Sequence, residues 1–363
     1  MDYKNIVDVK FDKNYKWLYN NTIYVCQTGS KAYGTNIETS DDDFRGISLG
    51  RKADYLGLRD SFQQYTLNDP DFVVFEFKKA LKLLSDGNPN TIEILFVEPN
   101  DIKYITPVGE KLLAFRDNFI TKSCKEKFLG YAKAQLARLK LHRGWLLSPI
   151  TVKPERKDFG LPDKLQIPSD QYEVVNALIR KELDSWNPNF EPFSDAQKIW
   201  LQNTLSDYLT EIQIYSDKLW MAAARKIGYS ENFVEILVME KRFESAKKHF
   251  DNYQDWKKNR NPTRAEMEAK VGYDCKHGVH LIRLSRMCRE ILDTGKVIVK
   301  RPDAEELLEI RNGHWSYEKV MEEFEKIQEQ VKIAYEKSTL PRTANLEKID
   351  EFVISILEEN IFQ

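Results

Sequence analysis

The chain has 363 residues, with 55 Lys and Arg against 57 Asp and Glu and a net charge of −2. That balance excludes a simple polycation, so any nucleic-acid surface must come from local clusters of Lys and Arg. Its four cysteines (Cys26, Cys124, Cys275 and Cys288) are scattered without a CxxC pair, and no apolar run approaches the ~20 residues that span a bilayer. A disulfide framework, a zinc site and a membrane span are therefore not expected. With no signal peptide at its start, the sequence reads as a soluble cytoplasmic protein.

Thr22 to Cys26 is the first convincing strand, short, β-branched and aromatic. It runs into Gln27-Thr28-Gly29-Ser30-Lys31-Ala32-Tyr33-Gly34, a Gly-Ser turn, and then Ser40-Asp41-Asp42-Asp43-Phe44-Arg45-Gly46, a second strand that opens with acids. Extended segments are expected at 54–58 and 61–67. Another strand, Asp71 to Phe77, leads into an amphipathic helix over 78–84 that Gly87 stops. Asn88-Pro89 starts a short helix, and Thr106-Pro107 starts one that runs to about Asn118. Ser123-x-x-Glu126 is a capping box opening a long basic helix that carries Lys127, Lys133, Arg138, Lys140, His142 and Arg143. Pro149, Pro154, Pro162 and Pro168 then mark a basic loop over 148–168, which reads as a binding loop or lid, or equally as a packing loop. Helices are expected near 171–184, 195–226, 231–258 and 273–294, then at 304–311, 316–337 and 345–360, with a short strand over 296–299. The fold class is α+β: a small mixed sheet core over 1–120, a basic helix and Pro-rich loop over 121–168, and a helical domain over 169–363 that contains the helix 273–295.

On a strand, alternate side chains share a face, so Asp41 and Asp43 point one way and Asp42 the other. Two carboxylates on one face repel unless a cation sits between them. Hard oxygen donors suit Mg²⁺, which takes one or two carboxylates together with substrate phosphates. Gly29 lets the backbone approach a phosphate, and Ser30 adds a hydroxyl donor. The competing reading of Ser40 to Asp43 is a solvated polar turn. Arg45 shares the face of Asp41 and Asp43 and either contacts a triphosphate or makes a structural ion pair.

The Gly-Ser turn followed by Asp-x-Asp resembles the DNA polymerase β-type nucleotidyltransferase superfamily. The fuller string, Gly29-Ser30-x-Ala32-Tyr33-Gly34 with Ser40-Asp41-x-Asp43 and Arg45-Gly46, resembles its RNA-repair-associated (RlaP-like) branch from bacteria and phages. The resemblance implies a third carboxylate on a later strand. Glu76, in Glu76-Phe77-Lys78-Lys79-Ala80-Leu81, is the first candidate for it and Asp71 the second. It also implies two Mg²⁺ (or Mn²⁺) ions held by Asp41, Asp43 and Glu76, a nucleoside triphosphate held by Gly29, Ser30 and Arg45, and transfer of a nucleoside monophosphate to a hydroxyl.

Far along the chain, Lys276-His277-Gly278-Val279-His280-Leu281-Ile282-Arg283 resembles the C-terminal helix of the same family. Lys276, His280 and Arg283 fall at i, i+4 and i+7 and share one helix face, which suits a triphosphate or an RNA backbone. The bland alternative is a solvated basic face. A zinc site built from His277 and His280 is not expected, because no carboxylate or cysteine partner has the right spacing. Ile310-Arg311-Asn312-Gly313 and Lys153-Pro154-Glu155-Arg156 also resemble the family. The expected activity is metal-dependent nucleotidyl transfer, with an RNA end (a tRNA or a broken RNA) as acceptor. The alternatives are transfer to a protein side chain or a nucleotide, and a catalytically silent nucleotide- or RNA-binding module.

Overall fold

The computed structural model describes Tyr3 and residues 10–58, 61–165, 167–185 and 213–361. Two compact units emerge: residues 1–148 with 262–363, and residues 149–261. This differs from a division near 120 and 168, because the helix expected over 273–295 belongs to the unit that holds the sheet and the middle of the chain forms the other unit.

In the first unit, β1 (Thr22–Thr28), β2 (Asp43–Ser48), β3 (Gln64–Asn68), β4 (Asp71–Glu76) and β5 (Ile102–Ile105) form one sheet in the order β3-β4-β2-β1-β5. β1 lies antiparallel to β2 and to β5, β3 lies antiparallel to β4, and β2 and β4 run parallel. The sheet is therefore mixed, and many helices follow it, an α+β architecture. The helices of this unit include α1 (Gly29–Tyr33), α2 (Phe77–Ser85), α3 (Pro107–Phe115) and α4 (Cys124–Leu147). Returning from the far end of the chain are α5 (Cys275–Thr294), α6 (Ala304–Arg311), α7 (Tyr317–Lys337) and α8 (Leu346–Asn360).

Both sheet faces are covered. Val25, Phe44, Phe72 and Val74 pack with Tyr3, Phe11, Leu18 and Phe62 on one side. On the other, Tyr24, Cys26 and Ile47 join Phe77, Leu81 and Leu84 of α2 and Leu281, Ile282, Met287 and Cys288 of α5. This burial of an apolar helix against α4 and the sheet carries residues 262–363 back to the N-terminal core, at roughly 25 cal/mol per Å² of apolar surface removed from water.

Three local expectations change. Residues 52–56 are helical, because Asp54 accepts from the Arg51 backbone N–H (2.8 Å) and pairs with its guanidinium, closing a capping box. Residues 296–299 run without strand pairing, with Val297 and Val299 buried, and Arg301 N–H donates to the Tyr33 carbonyl (3.0 Å). Ser123 does not cap α4 with its side chain; its hydroxyl bonds that of Thr121 (2.7 Å).

The second unit holds helices over Ser169–Ser185, Gln213–Lys226 and Glu231–Asn259 around Ile179, Trp220, Ala223, Val234 and Leu237. The part of the expected 195–226 helix that covers 195–212, with Pro188 and Pro192, lies outside the described residues. The Pro-rich segment is anchored within this unit: Arg156 pairs bidentately with buried Glu240 (2.8 and 2.6 Å) and donates to the Pro162 carbonyl (2.7 Å). Among the described residues, no helix is long and apolar enough to cross a membrane.

Candidate active site

The site forms where three strands end together. Register pairs Thr28 with Asp43 and Asp43 with Asp71, so the end of β1 and the starts of β2 and β4 lie side by side. Paired residues point to the same face, which sets Asp43 beside Asp71 on the face that also carries Cys26 and Ile47. The Asp43 carboxyl is held above the usual carboxylate range, first by burial and then by the charge of Asp71, with Arg45 and Lys276 opposing. That is the signature of two acids crowded into one place.

Gly29 has a specific reason to be glycine. Its φ is +68°, and a Cβ there would lie 1.9 Å from Asp43 Oδ2. The turn out of β1 therefore passes directly against the catalytic-candidate carboxylate, and Ser30 follows it in α1. Asp41 is exposed in the loop before β2. Asp42 turns to Lys31 Nζ (2.6 Å) and Gln27 Nε2 (2.9 Å), which hold its carboxyl below its ordinary value. The loop itself is tied from the far end of the chain, since Arg311 donates to the Thr35 carbonyl (2.7 Å) and to Ser40 Oγ (3.3 Å).

Glu76 is not brought to this place. It pairs with Ser48, five residues beyond the Asp43–Asp71 pair, which at ~3.3 Å per residue is about 16 Å along the strands. The odd offset also turns it to the opposite face. Glu76 is buried and works locally: its Oε2 accepts from Lys79 N–H (2.9 Å), capping α2, and its Oε1 accepts from the Tyr55 hydroxyl (2.7 Å). Asp71 is the carboxylate that the fold places beside Asp43.

Arg45 lies on the Asp43 face as alternation requires, but its guanidinium is engaged. It makes a bidentate pair with Asp71 (3.1 Å twice) and donates to the carbonyls of Phe44 (2.7 Å) and Asp71 (3.2 Å). Of the three donors expected on α5, Lys276 is exposed and its charge acts at Asp43. His280 is pushed down to about 3, first by burial and then by Arg283, Lys276, His277 and Arg311, so it is a neutral imidazole at physiological pH. Arg283 is a correction: it is buried, pairs with Glu93, lies 3.8 Å over the Tyr33 ring and donates to Met287 Sδ (3.1 Å). Tyr33 in turn donates to Glu93 (2.5 Å). This cluster braces α1 against α5. Glu93 carried no recognisable motif, and only its burial inside an apolar run, Ile92 to Leu95, hinted at a buried partner.

Residues 4–149 match the model of RlaP, the RNA repair pathway DNA polymerase beta family. The match spans the whole sheet, the Gly29 turn and Asp41, Asp43 and Asp71, and it bears out the resemblance read from those motifs. A protein of Enterobacteria phage T4, described as an uncharacterized 38.9 kDa protein in the nrdC-mobD intergenic region, is 22% identical, covering 93% of this chain and 98% of the phage protein. No solved structure matches the chain. The RlaP match stops at 149, so α5 and its Lys276 fall outside it.

Proposed function

We propose that the protein is a metal-dependent nucleotidyltransferase that moves a nucleoside monophosphate from a triphosphate to a hydroxyl on an RNA end. The observation that carries this is the juxtaposition of Asp43 and Asp71 at aligned strand starts, with the Gly29 backbone pressed against Asp43. The donor set fits Mg²⁺ or Mn²⁺: all oxygens, two of them in like-charged neighbours whose repulsion a cation relieves. Asp41, Asp43 and Asp71 would hold the ions; Asp71 replaces Glu76 in that role. Bound divalent ions supply Lewis-acid stabilisation of the entering and leaving oxygens.

The chain's own groups position the reactants. Gly29 leaves the backbone amides of the turn open to phosphate oxygens, and the Ser30 hydroxyl adds a donor. Arg45 fixes the Asp71 carboxylate by its two-point contact rather than meeting the triphosphate. Lys276 contributes positive charge from α5, and neutral His280 can donate or accept one hydrogen bond. For the acceptor, the exposed Lys127, Lys133, Arg138 and Lys140 make the solvent side of α4 basic, which suits an RNA backbone. The family description, an RNA repair pathway, supports the same acceptor class.

The test is transfer of label from each α-labelled nucleoside triphosphate to tRNA and to nicked RNA, in Mg²⁺ and in Mn²⁺, with Asp43→Asn as the dead control. Label on RNA that the control loses supports the reading. No transfer with any triphosphate sinks it, and label on protein instead moves the acceptor to a side chain.

A further inference from the structure

A second cluster lies where α4 meets the start of α5. His142 comes from α4, Asp274 caps α5, and His277 sits in the first turn of α5. His142 Nδ1 is 3.2 Å from Asp274 Oδ2, and His277 Nε2 is 3.4 Å from the same oxygen. One ligand atom from each of the three lies within 4.8 Å of the others. The side chains are largely buried, at 16%, 4% and 15% exposure.

We propose that His142, Asp274 and His277 form a binding site for a zinc-class divalent cation that pins the first turn of α5 to α4. Two imidazole nitrogens converge on a single carboxylate oxygen, and each approach is bridged by a ring proton or by a metal. The second ring nitrogen of His277 argues for metal. His277 Nδ1 lies 2.7 Å from Gln135 Oε1; in the tautomer that carries its proton on Nδ1, that nitrogen donates to Gln135 and Nε2 turns its lone pair to Asp274. Such an outer contact is what orients a metal-binding imidazole. The two nitrogen–oxygen separations match tetrahedral zinc, whose ~2.0–2.2 Å bonds hold ligands about 3.3–3.5 Å apart, and the ligand nitrogens of the two imidazoles lie within 4.8 Å of each other. Two imidazoles and a carboxylate with one place left for water is a zinc-type donor set, and late first-row metals bind it better than Mg²⁺. Asp274 Oδ1 is meanwhile occupied by His277 N–H (3.2 Å), which locks the carboxylate. His142 is stacked on Trp145 at 5.5 Å, which fixes its ring.

Sequence spacing missed this site because it needs Asp274, three residues before His277, together with His142, more than a hundred residues away. One consequence rests on the proposed nucleotidyl-transfer site: Lys276, between two ligands, is the α5 residue whose charge acts at Asp43. A metal clip would hold it there.

The test uses the full-length protein, stripped with chelator, in an Asp43→Asn/Asp71→Asn background so that the carboxylate site cannot contribute. Zn²⁺ or Co²⁺ alone is the probe, read by equilibrium dialysis, by cobalt d–d absorption and by thermal shift. One tightly bound equivalent is expected, lost on H142A/H277A and weakened ~10–100-fold by Gln135→Ala. Mg²⁺ should give no thermal shift in this background. Absence of a stoichiometric equivalent, or equal binding by H142A/H277A, overturns the proposal. Should the double variant fail to fold, X-ray absorption of the zinc-loaded parent decides: imidazole scattering supports the site, and its absence refutes it.

Discussion

The exchange of Glu76 for Asp71 can be tested by separating metal binding from folding. Mg²⁺ bonds of about 2.1 Å and two ions ~4 Å apart confine ligands of such a centre to a span of about 8 Å. Glu76 lies about 16 Å along the strand pair from the Asp43 level and on the opposite face, so no shared ion can reach it. Glu76→Gln keeps one oxygen to accept from Lys79 N–H and turns its amide NH2 to the Tyr55 oxygen, and its turnover should equal that of the parent. Glu76→Ala loses the cap, about 1 kcal/mol, and leaves the Tyr55 hydroxyl without its charged acceptor, about 1.5–3 kcal/mol, giving roughly 2.5–4 kcal/mol of destabilisation. Asp71→Asn should do the reverse. Its pair with Arg45 is half exposed and worth ~0–1 kcal/mol to folding, but losing a ligand whose metal supplies several kcal/mol should cut turnover ~10²–10⁴-fold. Urea unfolding and turnover of α-labelled triphosphate measure both quantities on the same samples. A folded Glu76→Gln protein as inactive as Asp71→Asn, or an Asp71→Asn protein at full rate, would refute the assignment.

Three further outcomes are expected. Gly29→Ala combines ~1–2 kcal/mol of left-handed strain with a Cβ driven into Asp43 Oδ2, so it should lose activity, whereas Gly34→Ala meets only the flexible end of Lys300 and should cost strain alone; turnover and melting of the two variants separate them. Asp43 has its carboxyl raised in the folded state, so the native protein binds more protons than the unfolded one just above the ordinary carboxylate range, and stability without metal should fall as pH rises through that window. Asp43→Asn should therefore melt higher than the metal-free parent at neutral pH, with the gap closing towards acid; a constant gap across the titration contradicts the crowding of Asp43 and Asp71. His280, lowered to about 3, should show no imidazole titration by NMR between pH 8 and 5, and because the unfolded chain binds the extra proton below about 6.5, it should withdraw stability as pH falls. A His280 resonance that titrates near 6.5 would place it in solvent instead.

How far the sequence reaches depends on whether a contact is local. The strand from Thr22 and the Gly29 turn were legible because alternation and turn chemistry act over a few residues; β2 begins only at Asp43, so Asp41 and Asp42 lie in the loop before it, and Asp42 reaches Lys31 from that loop rather than by strand alternation. Alternation within β4 also grouped Phe72, Val74 and Glu76 correctly, and their burial agrees. What it lacked was the register between strands. Once Asp43 is set opposite Asp71, parity alone sends Glu76 to the other face, and no property of the β4 sequence encodes that offset. The helix face of α5 failed for a related reason. Spacing at i, i+4 and i+7 aligns Lys276, His280 and Arg283, but it does not say where along the helix solvent gives way to core. Here the change falls within two turns, from exposed Lys276 to Arg283 buried against Glu93. The first turn of α5 also carries Asp274 and His277, so the partners that decide its chemistry, Asp43 and His142, both come from elsewhere in the chain. A basic motif at a helix start is thus read as a phosphate site or as an ion-pair brace according to which of its residues are buried, and that is fixed by tertiary packing.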